Sequence, residues 1–175
     1  MATYFYTASS LDGFLATVDH SLEWLFRQDF DMDGPMAYPA FVERIGARVM
    51  GASTYRWLLG HEDAWEHTHP TWVFAHRDLP TPNGADIRFA RGDVAEVFPE
   101  ISAVAGDEDV WVMGGGDLAG QFADAGLLDE IWVQFAPVTL GSGHPLLPRD
   151  LQLELVEVAR NRDFACVRYR VRQTG

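Results

Sequence analysis

The stretch that most constrains this chain is Val110-Trp111-Val112-Met113-Gly114-Gly115-Gly116-Asp117-Leu118-Ala119. An apolar run of strand type enters three glycines and leaves as a helix, which Asp117 is placed to cap and Gly126 to end. Glycines let the backbone approach a ligand without a Cβ in the way. The first helical N–H groups and the helix dipole then favour an anion at that point.

The same pattern recurs in weaker form along the chain. Thr3 to Ala8 reads as a buried strand, broken by Ser9 to Gly13, with Phe14-Leu15-Ala16 beyond it. A helix is expected over Tyr38 to Gly46, with Pro39 in its first turn and Gly46 as its C-terminal cap. Arg48 to Gly51 is a strand, and Ser53 to Leu59 a helix opening on hydroxyls. Thr71 to Ala75 and Ile87 to Ala90 are further strands. Asp93 starts a helix that Pro99 either kinks or delays until about Phe98. Glu130 to Ala136 is a strand, and Pro137 to Pro148 a loop. The last two strands form a hairpin around Arg160 to Asp163, with a bulge expected near Leu155, where the apolar phase slips by one residue. Strands alternating with helices, then a hairpin, predict one α/β domain over residues 1–175. Its sheet is mostly parallel, with an antiparallel C-terminal edge.

Charge narrows the partners. The formal net charge is −13, which argues against nucleic acid and against an anionic membrane surface. Every basic residue is Arg, so Schiff-base chemistry on Lys and a Lys-containing phosphate loop are excluded. An anionic ligand would be held by Arg, backbone N–H groups, hydroxyls or helix dipoles. Cys166 is the one cysteine, so no disulfide within the chain and no cysteine metal cluster can form. With a start that does not read as a signal peptide and no long apolar span, a cytoplasmic protein is expected.

Gly114 to Ala119 also fits G-x-G-x-x-A, the dinucleotide fingerprint. It lies two-thirds along the chain, and Val133-Gln134-Phe135 offers no carboxylate for a ribose where that fingerprint needs one, so a Rossmann domain is rejected and phosphate binding kept. Met50-Gly51-Ala52-Ser53-Thr54-Tyr55 is a second strand–glycine–helix start, and Ala75-His76-Arg77-Asp78, with Arg91 beyond the next strand, could grip a phosphate. His61, His67 and His69 lie in a polar stretch with Glu62, Asp63 and Glu66, but zinc ligands usually come at tighter spacing on defined elements, and no metal is expected.

Together these motifs resemble the dihydrofolate-reductase superfamily, and within it the reductase domain of the riboflavin-biosynthesis deaminase-reductase and its stand-alone relatives. Ala8 to Ala16 resembles the family's S-x-D-G-x-h-A segment, Glu23-Trp24-Leu25 its W-h element, and Val49 to Tyr55 its M-G-R-x-T-Y segment. Val112 to Leu118 resembles its glycine loop, Leu127 to Ile131 its L-h-D-E-h, and Pro137 to Gly143 its P-V-x-L-G-x-G. Ala52 stands where that pattern has Arg, and Phe14 where a basic residue often follows D-G.

The resemblance implies a three-layer fold and NADPH as hydride donor. Gly51, Ser53, Thr54, Arg77, Gly114, Gly115, Gly116, Asp117 and Leu118 would contact the cofactor, with Arg77 on the 2′-phosphate and Ala16 beside the nicotinamide. The substrate, a small heterocycle or a ribosylaminopyrimidine, would sit near Trp24, Tyr38 and Phe41, with Asp12 as proton donor. The alternative is a non-catalytic module binding a nucleotide or small molecule on the same fold. A homodimer is expected, its interface drawn from the apolar hairpin strands and Trp132.

Overall fold

The computed structural model describes residues 1–61 and 68–172. In chain order the elements are β1 (Thr3–Ser9), β2 (Phe14–Ala16), α1 (Glu23–Phe26), α2 (Tyr38–Val42), β3 (Ile45–Gly51), α3 (Ala52–His61), β4 (Thr71–Phe74), β5 (Ile87–Ala90), α4 (Val94–Ala105), β6 (Asp109–Gly114), α5 (Gly116–Asp124), β7 (Glu130–Phe135), β8 (His144–Pro145), β9 (Leu153–Asn161) and β10 (Phe164–Val171). One eight-stranded sheet runs β5-β4-β3-β6-β1-β7-β10-β9, and β2 pairs with β8 in a small second sheet. All neighbours in the large sheet are parallel except β7–β10 and β10–β9, as the strand–helix alternation predicts.

The sheet is covered on both faces, which is why its strands read as continuous apolar runs. On one face Phe5, Val49, Val110, Val112 and Ile131 pack with Val94, Ile101 and Ala105 of α4 and Leu118, Ala119 and Phe122 of α5. On the other, Tyr4, Tyr6, Trp111 and Trp132 close around Phe41 of α2, and Met50 and Val73 pack on Tyr55 and Leu58 of α3. No described helix is long and apolar enough to cross a membrane.

Three local expectations need correction, and of the two readings of Pro99 the delayed start is excluded. The helix at Tyr38 stops at Val42, and Gly46 lies inside β3 rather than capping a helix. A Cβ on Gly46 would come within 2.8 Å of the Ala105 carbonyl and the Glu108 side chain, so the glycine serves packing against the end of α4. The fourth helix starts at Val94 with Asp93 as its cap, accepting from the Ala95 N–H at 2.8 Å, and runs on through Pro99. Asp117 lies inside α5, whose N-cap is Gly115. The hairpin turn falls where expected, at Arg162 (φ +47°). Its bulge also does: Arg168 faces Glu157 and Tyr169 faces Leu155, leaving Val156 as the extra residue.

Candidate functional site

The parallel strands all end at one edge of the sheet, where open α/β sheets bind ligands. Two strand-to-helix junctions adjoin there, because β3 and β6 are neighbours with Met50 opposite Gly114. At the β6–α5 junction Gly114 has φ +144°, and the Gly114–Gly115 peptide is cis. The first helical bond is from the Ala119 N–H to the Gly115 carbonyl at 3.1 Å, and no side chain caps the start. The N–H groups of Gly116, Asp117 and Leu118 therefore have no intrahelical acceptor.

The three glycines have different surroundings. A Cβ on Gly115 would meet nothing within 4 Å. One on Gly114 would come within 3.4 Å of the Thr54 Oγ1, and one on Gly116 would run into the carbonyl oxygens of Pro145 and Leu146. At the β3–α3 junction a Cβ on Gly51 would have no neighbour nearer than 3.8 Å. Ser53 is exposed and Thr54 half-buried at the start of α3. Open backbone at Gly51 and Gly115, hydroxyls from Ser53 and Thr54, and free helical N–H groups form a cradle that suits a pyrophosphate.

Arg77 follows β4 at the same edge. It is exposed and makes no ion pair among the described residues. Arg91 is paired with Asp78 at 2.8 Å, so it does not join Arg77 as a second free cation. Asp117 is exposed and accepts from the Gln121 amide at 2.9 Å and the Arg149 guanidinium at 3.0 Å, which hold its carboxyl below the usual range. Arg149 also pairs with Asp124 at 2.7 Å and crosses Gly120 closely. Asp117 thus fastens the 144–149 segment to α5. Leu118 is in the core.

Both carboxylate oxygens of Asp12 are engaged within the fold. Its Oδ1 accepts from the Ser10 hydroxyl at 2.7 Å and the Leu140 N–H at 3.0 Å, and its Oδ2 from the Gly141 N–H at 2.7 Å. The Ser10 hydroxyl first, with those backbone donors, lowers its pKa and favours the ionised form. Asp12 ties the β1–β2 turn to the 137–149 loop. That loop contains β8, which pairs Ala16 with His144, while the bare Gly143 lets the Ala16 carbonyl approach. At this rim His20 and His144 stack with ring centroids 4.0 Å apart.

The expected substrate residues fare unevenly. Phe41 is 2% exposed among Tyr4, Tyr6, Trp111 and Trp132, and Trp24 is buried against Ala136, Phe164 and Cys166, so neither offers a free face. Tyr38 is half-buried against Trp111. An open cleft lies between the 19–26 segment and α3, with a volume of about 560 Å³, lined by Leu22, Phe26, Ser53, Arg56, Trp57 and His61 among others. Trp57 and His61 stack at 4.1 Å, one helical turn apart. That i, i+4 spacing is readable in the sequence, but what it faces is not. His61 is engaged there, whereas His67 and the acids at 62, 63 and 66 lie outside the described residues.

The sheet order, the helices on both faces and the antiparallel C-terminal strands are those of the dihydrofolate-reductase-like α/β fold. A dihydrofolate reductase from Enterococcus faecalis, complexed with NADP(H) and RAB-propyl, superposes with a TM-score of 0.57 at 14% identity over 98% of this chain and 97% of that one. A Shewanella sp. PV-4 protein described as a putative riboflavin biosynthesis protein superposes with a TM-score of 0.85 at 23% identity, over 99% of this chain and all of that one. The Bacillus subtilis protein YwjB is 26% identical over 144 residues, 82% of this chain and 81% of its own length. Residues 48–166 match the model of the RibD C-terminal domain, and the chain belongs to that family, one of NADPH-dependent reductases.

Proposed function

We propose that this protein binds NADPH along the C-terminal edge of its sheet and reduces a small heterocyclic or ribosylaminopyrimidine-like substrate in the adjoining cleft. The carrying observation is the pair of adjoining glycine junctions, accessible at Gly51 and Gly115, with Arg77, which makes no ion pair among the described residues, just past the end of the next strand. On a molecule of net charge −13, such a cluster of donors is the region best suited to a phosphate-bearing ligand. The family relationship supports the same reading.

Bound NADPH supplies a hydride from its nicotinamide ring. The chain's own work is positioning. The α3 and α5 starts hold phosphates through N–H groups and the Ser53 and Thr54 hydroxyls. Arg77 reaches for the 2′-phosphate. The paired β2 and β8 segments, tied together through Asp12, would support the nicotinamide ring beside Ala16.

The test is titration with NADPH and NADH. The expected result is a preference for NADPH that falls by about tenfold or more in Arg77→Ala, with the melting temperature unchanged. Equal affinity of the unaltered protein for the two nucleotides would remove Arg77 from the site. NADPH uptake without oxidation by any of a panel of pterins, ribosylaminopyrimidines, quinones and aldehydes would favour the non-catalytic module.

We also propose that two copies pair through one face of the β9–β10 hairpin. One face carries a charge ladder, Glu154–Arg170, Glu157–Arg168 and Arg168–Glu130 at 3.6, 3.7 and 2.7 Å. The other carries Leu155 and Val158, 56% and 64% exposed, opposite Tyr169 and Val167. Trp132 does not belong to this interface: it is buried beneath Arg168 on the charged side. Sedimentation at micromolar concentration is expected to show a dimer that Val158→Glu dissociates; a monomeric unaltered protein would end the proposal.

A further inference from the structure

The cleft beside α3 has two walls of different kinds. Trp57 is a fixed platform: one face of its indole lies on the His61 imidazole at 4.1 Å and 9°, and the His61 Nδ1 is 2.8 Å from the Trp57 carbonyl oxygen. Phe26 is a loose clamp. It is the last residue of the single-turn α1, which has no side-chain cap, and it is 68% exposed. Its ring is near-parallel to Trp57, at 29° and 6.1 Å between centroids. Contacting carbon layers lie about 3.5 Å apart, so a third ring between the two would need roughly 7 Å. A swing of the exposed Phe26 side chain supplies the difference.

Charge on this cleft is also specific. Glu23 of α1 and Arg27 just past its end are engaged with each other at 3.4 Å, and Asp19 is the other acid on the lining. Arg56, which lines the cleft beside Trp57, makes no ion pair among the described residues. Its guanidinium remains available to an anion. Ser53 lines the same cleft and also belongs to the α3 start, so a ligand here lies next to the proposed cofactor cradle. The volume of about 560 Å³ suits a small molecule.

We infer that Phe26 and Trp57 are jaws for a planar aromatic acid, a flat conjugated ring held between them with its carboxylate toward Arg56. Naming a substrate class in this way rests on the reductase reading above. The jaws themselves do not, because they are defined by rings and charge alone.

The test is calorimetry without cofactor, using 2-naphthoate as probe and 2-naphthalenemethanol, cyclohexanecarboxylate and ribose 5-phosphate as controls. Binding of 2-naphthoate is expected to weaken about tenfold in Phe26→Ala and to survive in Trp57→Phe. Arg56→Gln is expected to weaken 2-naphthoate and leave 2-naphthalenemethanol unchanged. Phe26 is so exposed that its removal tests the jaw without risk to the core. The inference is overturned if cyclohexanecarboxylate or ribose 5-phosphate binds as well as 2-naphthoate, or if Phe26→Ala has no effect. NADPH titrated separately keeps the two readings apart: naphthoate uptake with no nucleotide uptake sinks the cofactor assignment alone, and the reverse sinks only the jaws.

Discussion

The two glycine junctions look alike in sequence and differ in what their glycines are for. At the α3 start a Cβ on Gly51 would make only ordinary contact, at 3.8 Å, with the Gly114 carbonyl oxygen and the Gly115 nitrogen, and hydroxyl residues follow it. At the α5 start only Gly115 has room for a Cβ, with nothing within 4 Å of it. Gly114 needs its backbone conformation, φ +144°, and Gly116 yields room to the carbonyls of Pro145 and Leu146. The 144–149 segment then lies along α5, held by Arg149 to Asp117 and Asp124. One junction is a bare ligand surface. The other is a ligand surface one residue wide on top of a packed joint. A glycine run that reads as a single ligand loop therefore divides between architecture and recognition.

The sharpest way to break this distinction is alanine at the neighbouring positions. Gly116→Ala forces a Cβ into two backbone oxygens that no side-chain rotation can move, and is expected to destabilise the fold by about 3 kcal/mol. Gly115→Ala places its Cβ in open space at an ordinary φ of −78°. It is expected to keep the melting temperature and to weaken NADPH several-fold, by crowding the ligand. Thermal melts and nucleotide titrations on the pair decide the matter. Equal destabilisation by both, or neither variant affecting NADPH, would erase the contrast.

Much of the frame is legible in the sequence because both faces of the sheet are covered. Runs such as Val110 to Met113 have no polar phase to confuse, and Gly and Asp mark the joints between elements. The slip of phase in β9 locates a bulge because one face of that hairpin is charged and the other apolar. What is not legible is direction across the cleft. Phe41 and Trp24 are aromatic residues in segments that resemble a substrate wall, yet they turn into separate cores, whereas the less conspicuous Phe26 stays outside. A helix of one turn carries too few residues for its periodicity to show which side chain is buried. Asp12 ties a turn to a distant loop, a role that sequence spacing cannot display. Its partners, Leu140 and Gly141, are brought to it only by the fold. The two-residue β8, inside what reads as a loop, is invisible for the same reason.

The smallest expected effect concerns how the packed joint is held in place. The 137–149 loop is anchored at one end by Asp12 and at the other by Asp117 through Arg149. Both carboxyls are held below their usual range, Asp12 first by the Ser10 hydroxyl and Asp117 first by the Gln121 amide. A carboxyl whose folded pKa is depressed contributes stability above its unfolded value, near pH 4, and loses it as pH falls through the folded value. Asp12→Asn removes one such group and, because an amide has a single acceptor oxygen, sets its NH2 against either the Gly141 N–H or the Leu140 N–H and Ser10 hydroxyl. The variant is expected to melt modestly below the unaltered protein at pH 7, since both anchors are exposed and screened. That gap is expected to narrow as pH drops below about 4, where the unfolded chain takes up a proton on Asp12 before the folded one does. Melting curves across that range read the gap directly. If it stayed constant with pH, the loop would be held by shape rather than by ionised anchors, and the two junctions would differ in packing alone.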